Sequence, residues 1–298
     1  MYMAPFALLS SSTTDTYTIN FLSFIRAVFW RVRQSFLLDY LHVCPDCKMQ
    51  ERQDKWRQKL MGTPKEIKYK RKIYSKYIQG HTNLDDSILQ TIRADIPRTF
   101  AASQTTNADI VSELLVEYAI IQNGDSYLQG FSYFMTVVHH VFHDSSYRRA
   151  DIFYCFANLI GLIRPLMPDF NAKWFTWNRN YWVSDLLHKL RARRPLLANI
   201  LNQEMEVFSS MLILKWYFLW FSQNIVFSEI LELWDFLLTR PKETLMHTYN
   251  CIAYEIINQA ADDIVYQNNG EPIPIIYKIL DLKISNIPNL IQLVRKNA

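Results

Sequence analysis

Glycine is scarce in this chain: only 6 of 298 residues, too few for a Rossmann fold or a β-sandwich, which spend glycine on tight turns. Cysteine is scarce as well. Four thiols fit a reducing compartment. The Cys44-Pro-Asp-Cys47 stretch has no second CxxC and no close histidine pair to complete a four-ligand zinc site, so no metal is expected. Long apolar runs are missing. The longest, "IFYCFANLIGLI" and "MLILKWYFLWF", reach about 12 residues, and a membrane span needs about 20. No basic region precedes "MYMAPFALLSSS", so a signal peptide is not expected and the reading is a soluble, cytoplasmic protein. The net charge of +4 is too small to point to nucleic acid. No 20-to-50-residue repeat is visible, and no GxxxxGK[ST] phosphate-binding loop occurs.

What is present is an apolar half of the chain with 8 Trp, 17 Tyr and 18 Phe. Its apolar residues recur three and four apart, which predicts an all-α fold. Helices are expected at 50–61, 65–79, 85–96, 108–121, 127–143, 149–163, 179–190, 195–222, 226–239 and 243–260, with two short pieces after 273. Pro64, Pro165, Pro168 and Pro241 fall between them. No Gly/Pro/Ser-rich linker interrupts residues 48–298, so these read as one domain and residues 1–47 as an N-terminal extension. Within the extension, segment 19–43 carries Arg26, Arg31 and Arg33 inside an apolar pattern. It is an amphipathic helix whose expected role is docking on the domain, with membrane contact or dimerisation as alternatives. The dense basic run "KEIKYKRKIYSKY", 65–77, reads as a solvated helix face. Contact with an acidic lipid surface or acidic partner is its alternative reading.

The stretch "NLDDSILQTIRADIPRTF" ends a helix on an arginine. Asn83 or Asp85 is placed to cap it, and Pro97 disfavours the α conformation at Ile96. Arg98 then opens a loop with Asp95 three residues before it, spaced to hold the guanidinium by a charge-assisted bond. After the next helix, of about 14 residues or about 21 Å, the turn "QNGD" leads into "SYLQGF", where Tyr127 and Gln129 are expected in the first turn of a further helix. The loop 99–107 spans at most about 30 Å, enough to return along that helix, so Arg98 and Gln129 are able to share one surface. Hydrolysis of GTP needs positive charge on the phosphates and a group that orients the attacking water, roles suited to a guanidinium and an amide. With no phosphate-binding loop of its own, the chain has to act on a nucleotide held by another protein.

"IRADIPRTF" resembles the I-x-x-D-x-x-R motif of TBC domains, the GTPase-activating proteins of Rab GTPases, and "YLQG" resembles their Y-x-Q motif. "RQDKW" is similar to their R-x-x-x-W motif, and "LKWYFLWFSQNIVFSEILELWDFLL" to their W-f-x-x-x-F … W-D segment. Together the four motifs cover roughly residues 50–260 in the family's order. The resemblance implies a two-lobed helical domain gripping a GTP-bound Rab in its cleft. Arg98 would be an arginine finger and Gln129 a glutamine finger replacing the Rab's own water-orienting group. Asp95, Arg52 and Trp56 would hold Arg98 and the local packing, and Tyr127 would help place Gln129. It implies no cofactor, since Mg²⁺ and GTP belong to the Rab, and a role in vesicle trafficking at endomembranes. The alternative is a non-catalytic Rab-binding or scaffold module.

Several positions depart from the family pattern. Ser126 stands for the usual glycine before Y-x-Q, Ala101 for the proline after "RTF", Glu232 for the arginine of R-x-W-D, and "CPDCKMQE" for "GIP". His139 and His143, four apart beside Asp144, are expected to be a packed or surface cluster rather than a metal pair. Trp234 and Asp235 are expected as core and a helix-packing hydrogen bond.

Overall fold

The computed structural model describes residues 45–80, 84–99, 107–122, 127–143, 149–164 and 173–297. Segment 19–43, Cys44, Ala101, Ser126 and Asp144 lie outside them. The described architecture is all-α, with thirteen helices and no strand beyond one isolated bridge between Ile225 and Ile284. The chain divides into two compact units, Met1–Arg52 and Gln53–Ala298. Only the start of helix α1 (Pro45–Met61) is described in the first. This helix begins at Pro45, five residues ahead of the expected start at 50, because proline at a first helical position gives up an N–H that has no helical partner anyway.

In the second unit, one group of helices comprises α2 (Pro64–Gly80), α3 (Asp86–Asp95), α4 (Ala108–Ile121), α5 (Phe131–Phe142) and α6 (Arg149–Ile163). Their starts follow capping chemistry: the Asp85 carboxylate accepts from the Ser87 N–H at 2.8 Å, and Asn107 accepts from the N–H groups of Asp109 and Ile110. The second group comprises α7 (Lys173–Arg193), α8 (Pro195–Gln203), α9 (Met205–Leu212), α10 (Phe227–Leu238), α11 (Leu245–Gln267), α12 (Pro272–Leu280) and α13 (Ile287–Asn297). Helices α5 and α6 pack on each other and on α4 and α2, while in the second group α7, α12 and α13 pack on α11.

An aromatic seam joins the lobes. Phe131 and Phe134 of α5 meet Phe218 at ring separations of 6.3 and 6.4 Å, and Phe134 lies 5.1 Å from Trp234. Trp234 stacks on Trp56 at 6.1 Å, whose indole N–H donates to Asp235 at 2.7 Å. The Trp234 N–H donates to the Trp220 carbonyl. Trp234 and Asp235 thus take the core and hydrogen-bonding roles expected of them.

The span 195–222 is not one helix. It breaks between α8 and α9 at Glu204, then widens into a π turn, Ile213–Tyr217, and reverses where Trp220 and Phe221 adopt left-handed backbone angles of φ 48° and 60°. Residues 216–221, W-Y-F-L-W-F, are all buried. A straight helix would have to be wrapped on every side to bury them. By turning, the chain sends Phe218 and Trp220 toward α5 and α10 but Tyr217 and Phe221 toward Tyr249 of α11.

Candidate functional site

The end of α3 is built around Asp95. Ile96 keeps α-region angles (φ −55°, ψ −51°) instead of turning extended as Pro97 suggested, and the chain tightens into a 3₁₀ turn, Ile96–Arg98. Proline cannot donate to the α ladder, and a 3₁₀ turn accommodates that loss in the space of three residues. The extended residue is Thr99, at φ −93° and ψ 117°. This turn brings the Arg98 side chain back over the helix. Its Nε donates to the Ala94 carbonyl at 2.9 Å and Nη2 to Asp95 Oδ1 at 3.1 Å, the i,i+3 pairing that the sequence predicted. Three of the five guanidinium N–H donors remain without a partner among the described residues, on a side chain that is 59 % exposed.

The same carboxylate reaches the second motif. Asp95, only 3 % exposed, accepts at Oδ2 from the Tyr127 hydroxyl at 2.9 Å and from the Gly130 N–H at 3.1 Å. Burial, and then the adjoining Asp95 charge, push the Tyr127 phenol far above its ordinary range, which keeps it a donor. One buried carboxylate therefore binds Arg98 with one oxygen and, with the other, the two residues that bracket Leu128 and Gln129. A second tie runs alongside: Tyr133 donates to the Arg98 carbonyl at 3.0 Å, and the Thr99 hydroxyl donates to the Asp95 carbonyl and hydrogen-bonds Ser132.

Gln129 is not in the first turn of a helix. Helix α5 starts at Phe131, because Gly130 sits at φ 101°, a left-handed conformation that interrupts the helical path. Gln129 occupies the turn just before it, exposed and without a hydrogen bond among the described residues. Putting a Cβ on Gly130 would also bring it within 2.8 Å of a Leu219 methyl. Gly130→Ala is therefore expected to cost about 1–2 kcal/mol through the backbone alone, lowering the thermal midpoint by about 2–8 °C, which a thermal melt beside the parent chain checks.

Arg98 and Gln129 line one cleft of ≈ 490 Å³. One wall comes from Asp95, Arg98, Gln129 and Tyr133, and the facing wall from the π turn and its exit, with Leu214, Lys215, Phe218, Leu219 and Gln223. Lys215 points there from the π turn, 2.7 Å from Asp281. A cavity of ≈ 540 Å³ between α7 and α11 holds none of the predicted site residues. Trp56 is not against Arg98. It is 2 % exposed, and ring contacts link it to the cleft through Trp234, Phe134 and Phe218. Arg52 is buried on α1. His139 is buried, and burial, then the neighbouring His143, lower its pKa. No cluster with metal-ligand geometry occurs among the described residues.

Gly130, Ser132, Tyr133 and Lys215 belong to the site without having been read from the sequence. A glycine directly after Gln129, in a chain with so few, was the available signal for the first. Ser132 and Tyr133 looked like ordinary helix residues, and Lys215 like one charge inside a core run.

A Rab-GTPase-TBC domain model matches residues 49–264. The chain is 22 % identical over 212 residues to the human protein TBC1 domain family member 17, covering 68 % of this chain and 31 % of that one. It is 24 % identical over 164 residues to Growth hormone-regulated TBC protein 6 of Caenorhabditis elegans, covering 54 % of this chain and 47 % of that one. The chain thus spans less than half the length of either relative.

Proposed function

Because this chain belongs to the Rab-GTPase-TBC domain family, we propose that it is a GTPase-activating protein that supplies both Arg98 and Gln129 to GTP held by a Rab. The observation that carries this reading is the shared cleft: both side chains line it, and the Asp95 carboxylate holds the Tyr127 hydroxyl and the Gly130 N–H on either side of one and the guanidinium of the other.

In this mechanism the GTP-bound Rab presents its γ-phosphate and Mg²⁺ to the cleft. The Arg98 N–H donors that have no partner among the described residues stabilise charge developing on the phosphate oxygens. The Gln129 amide accepts from and donates to the attacking water, fixing its line of approach. Neither residue changes covalently, so the contribution is positioning and charge, and the chain needs no cofactor of its own. Switching off a Rab in this way regulates vesicle traffic at endomembranes.

The test is single-turnover GTP hydrolysis across a panel of Rabs. Acceleration of one or a few is expected with the parent chain, and Gln129→Ala is expected to lower the accelerated rate about 10²–10³-fold, the scale of one preorganised transition-state group. Glutamate at the same position keeps the length but loses the donor, and is expected to restore little. Binding of a GTP-loaded Rab with no acceleration by the parent chain would make this a non-catalytic Rab-binding module instead.

A further inference from the structure

Helix α2 carries six basic residues, and they divide by face. On the inner side, Lys70 donates to the Met61 carbonyl at 2.8 Å, and Arg71 grips Asp151, which is fully buried. Tyr74 hydrogen-bonds Glu117 beside them. The one acid of the helix, Glu66, turns back onto the Thr63 N–H and hydroxyl at 2.7 and 2.8 Å. That leaves Lys65, Lys68, Lys72 and Lys76. At 100° per residue they fall, with Tyr69 among them, within an arc of about 100° extending about 16 Å along the axis. All four lysines are exposed, none has a hydrogen bond or ion pair among the described residues, and Tyr69 is 65 % exposed. Burial of the inner face explains why the helix is there, but not why its outer face is uniformly cationic beside a bare phenol.

We propose that this face of α2 docks on an anionic membrane surface. Three features favour a lipid surface over a folded acidic partner. The outer cations are all lysines, hydrated point charges suited to a diffuse anionic plane, while the fork-shaped donor, Arg71, is committed inward. They lie along a single helix side and not around a concavity, so every one of them meets a flat surface at once. Tyr69, exposed at one edge of the lysine arc, has the amphipathic shape of a side chain seated at the headgroup boundary. The face is distinct from the Arg98 and Gln129 cleft, none of whose lining residues is on α2.

The test is co-sedimentation of the full chain with vesicles of phosphatidylcholine alone, and of phosphatidylcholine containing about one-third phosphatidylserine, an anionic surface of the kind that attracts basic segments. Binding is expected to the anionic vesicles only, and to fall as salt shortens the screening length below the spacing of the charges. Each lysine near such a surface is worth about fivefold, so the quadruple variant Lys65→Gln, Lys68→Gln, Lys72→Gln, Lys76→Gln is expected to bind at least about 10²-fold more weakly. Tyr69→Ser is expected to weaken binding in a manner that salt does not mask.

The proposal is overturned if the parent chain ignores anionic vesicles, as it would were an acidic protein the partner. It is equally overturned if the quadruple variant binds them as the parent does, since another part of the chain would then be responsible. The four exposed substitutions are expected to leave the thermal midpoint in place, and to leave acceleration of an unlipidated Rab in solution unchanged. Failure of vesicle binding is therefore distinguishable from failure of the catalytic reading.

Discussion

Arg98→Ala is expected to remove the acceleration of Rab GTP hydrolysis by about 10³–10⁵-fold, the scale of an arginine finger in GTPase activation. The fold should survive the change. The side chain is 59 % exposed, and its Nε and Nη2 bonds run to a carbonyl and a carboxylate of its own helix end, so truncation is expected to cost less than about 1 kcal/mol. Asp95 keeps the Tyr127 and Gly130 donors on its other oxygen. Single-turnover hydrolysis read beside a direct binding measurement separates the outcomes. Lost rate with near-normal affinity for the GTP-loaded Rab places the arginine in the transition state, whereas rate and affinity lost in proportion would assign it to docking alone. Arg98→Lys sharpens the test: a point charge without the planar fork is expected to recover little. Full recovery would mean that charge alone suffices.

Asp95 carries the second large effect, and two substitutions there should differ. Three donors converge on its carboxylate, and asparagine offers only one oxygen. Directed at Tyr127 and Gly130, that oxygen satisfies the buried pair and turns an amide N–H₂ toward the Arg98 guanidinium, donor against donor. The exposed guanidinium can turn to water, while the Gly130 N–H is buried and cannot, so this is the arrangement asparagine should adopt. Asp95→Asn is therefore expected to lose about 10²-fold in accelerated hydrolysis, the effect of a mispositioned catalytic group, with stability little changed. Asp95→Ala strands the Tyr127 hydroxyl and the Gly130 N–H as well, at about 1–3 kcal/mol for each unsatisfied donor. It is expected to lower the thermal midpoint by about 4–24 °C at the usual scaling. Equal stability losses in the two variants would remove Asp95 from its bracing role.

These expectations rest on features of unequal legibility. The Asp95–Arg98 pair is local: three residues apart around a helix end, the two side chains meet wherever the chain puts that helix, and sequence spacing predicted the contact. Caps at Asp85 and Asn107, the all-α fold and most helix spans are legible for the same reason, since apolar periodicity and capping oxygens act within a few residues. At Pro97 local reasoning misjudged the outcome. The preference against α angles at Ile96 is mild, and a 3₁₀ turn anchored by the Thr99 and Tyr133 hydrogen bonds outweighs it. The six-residue buried run 216–221 had the right spacing for a helix, but it could not show that burial on all sides would be met by bending the chain.

By itself the sequence determined an all-α chain, the family to which it belongs, and the two side chains proposed for the chemistry, because motif identity and helical periodicity are properties of neighbouring residues. Only the tertiary structure decided that Gln129 stands in a turn outside its helix, that a single buried carboxylate joins Tyr127 and Gly130 beside it to Arg98, and that a π turn more than eighty residues later lines the cleft with Lys215 and Gln223. The reason is physical. A left-handed glycine, a shared hydrogen-bond acceptor and an opposing wall gain their energy from contacts between segments distant in the chain, and no local propensity records a contact whose partner it cannot see.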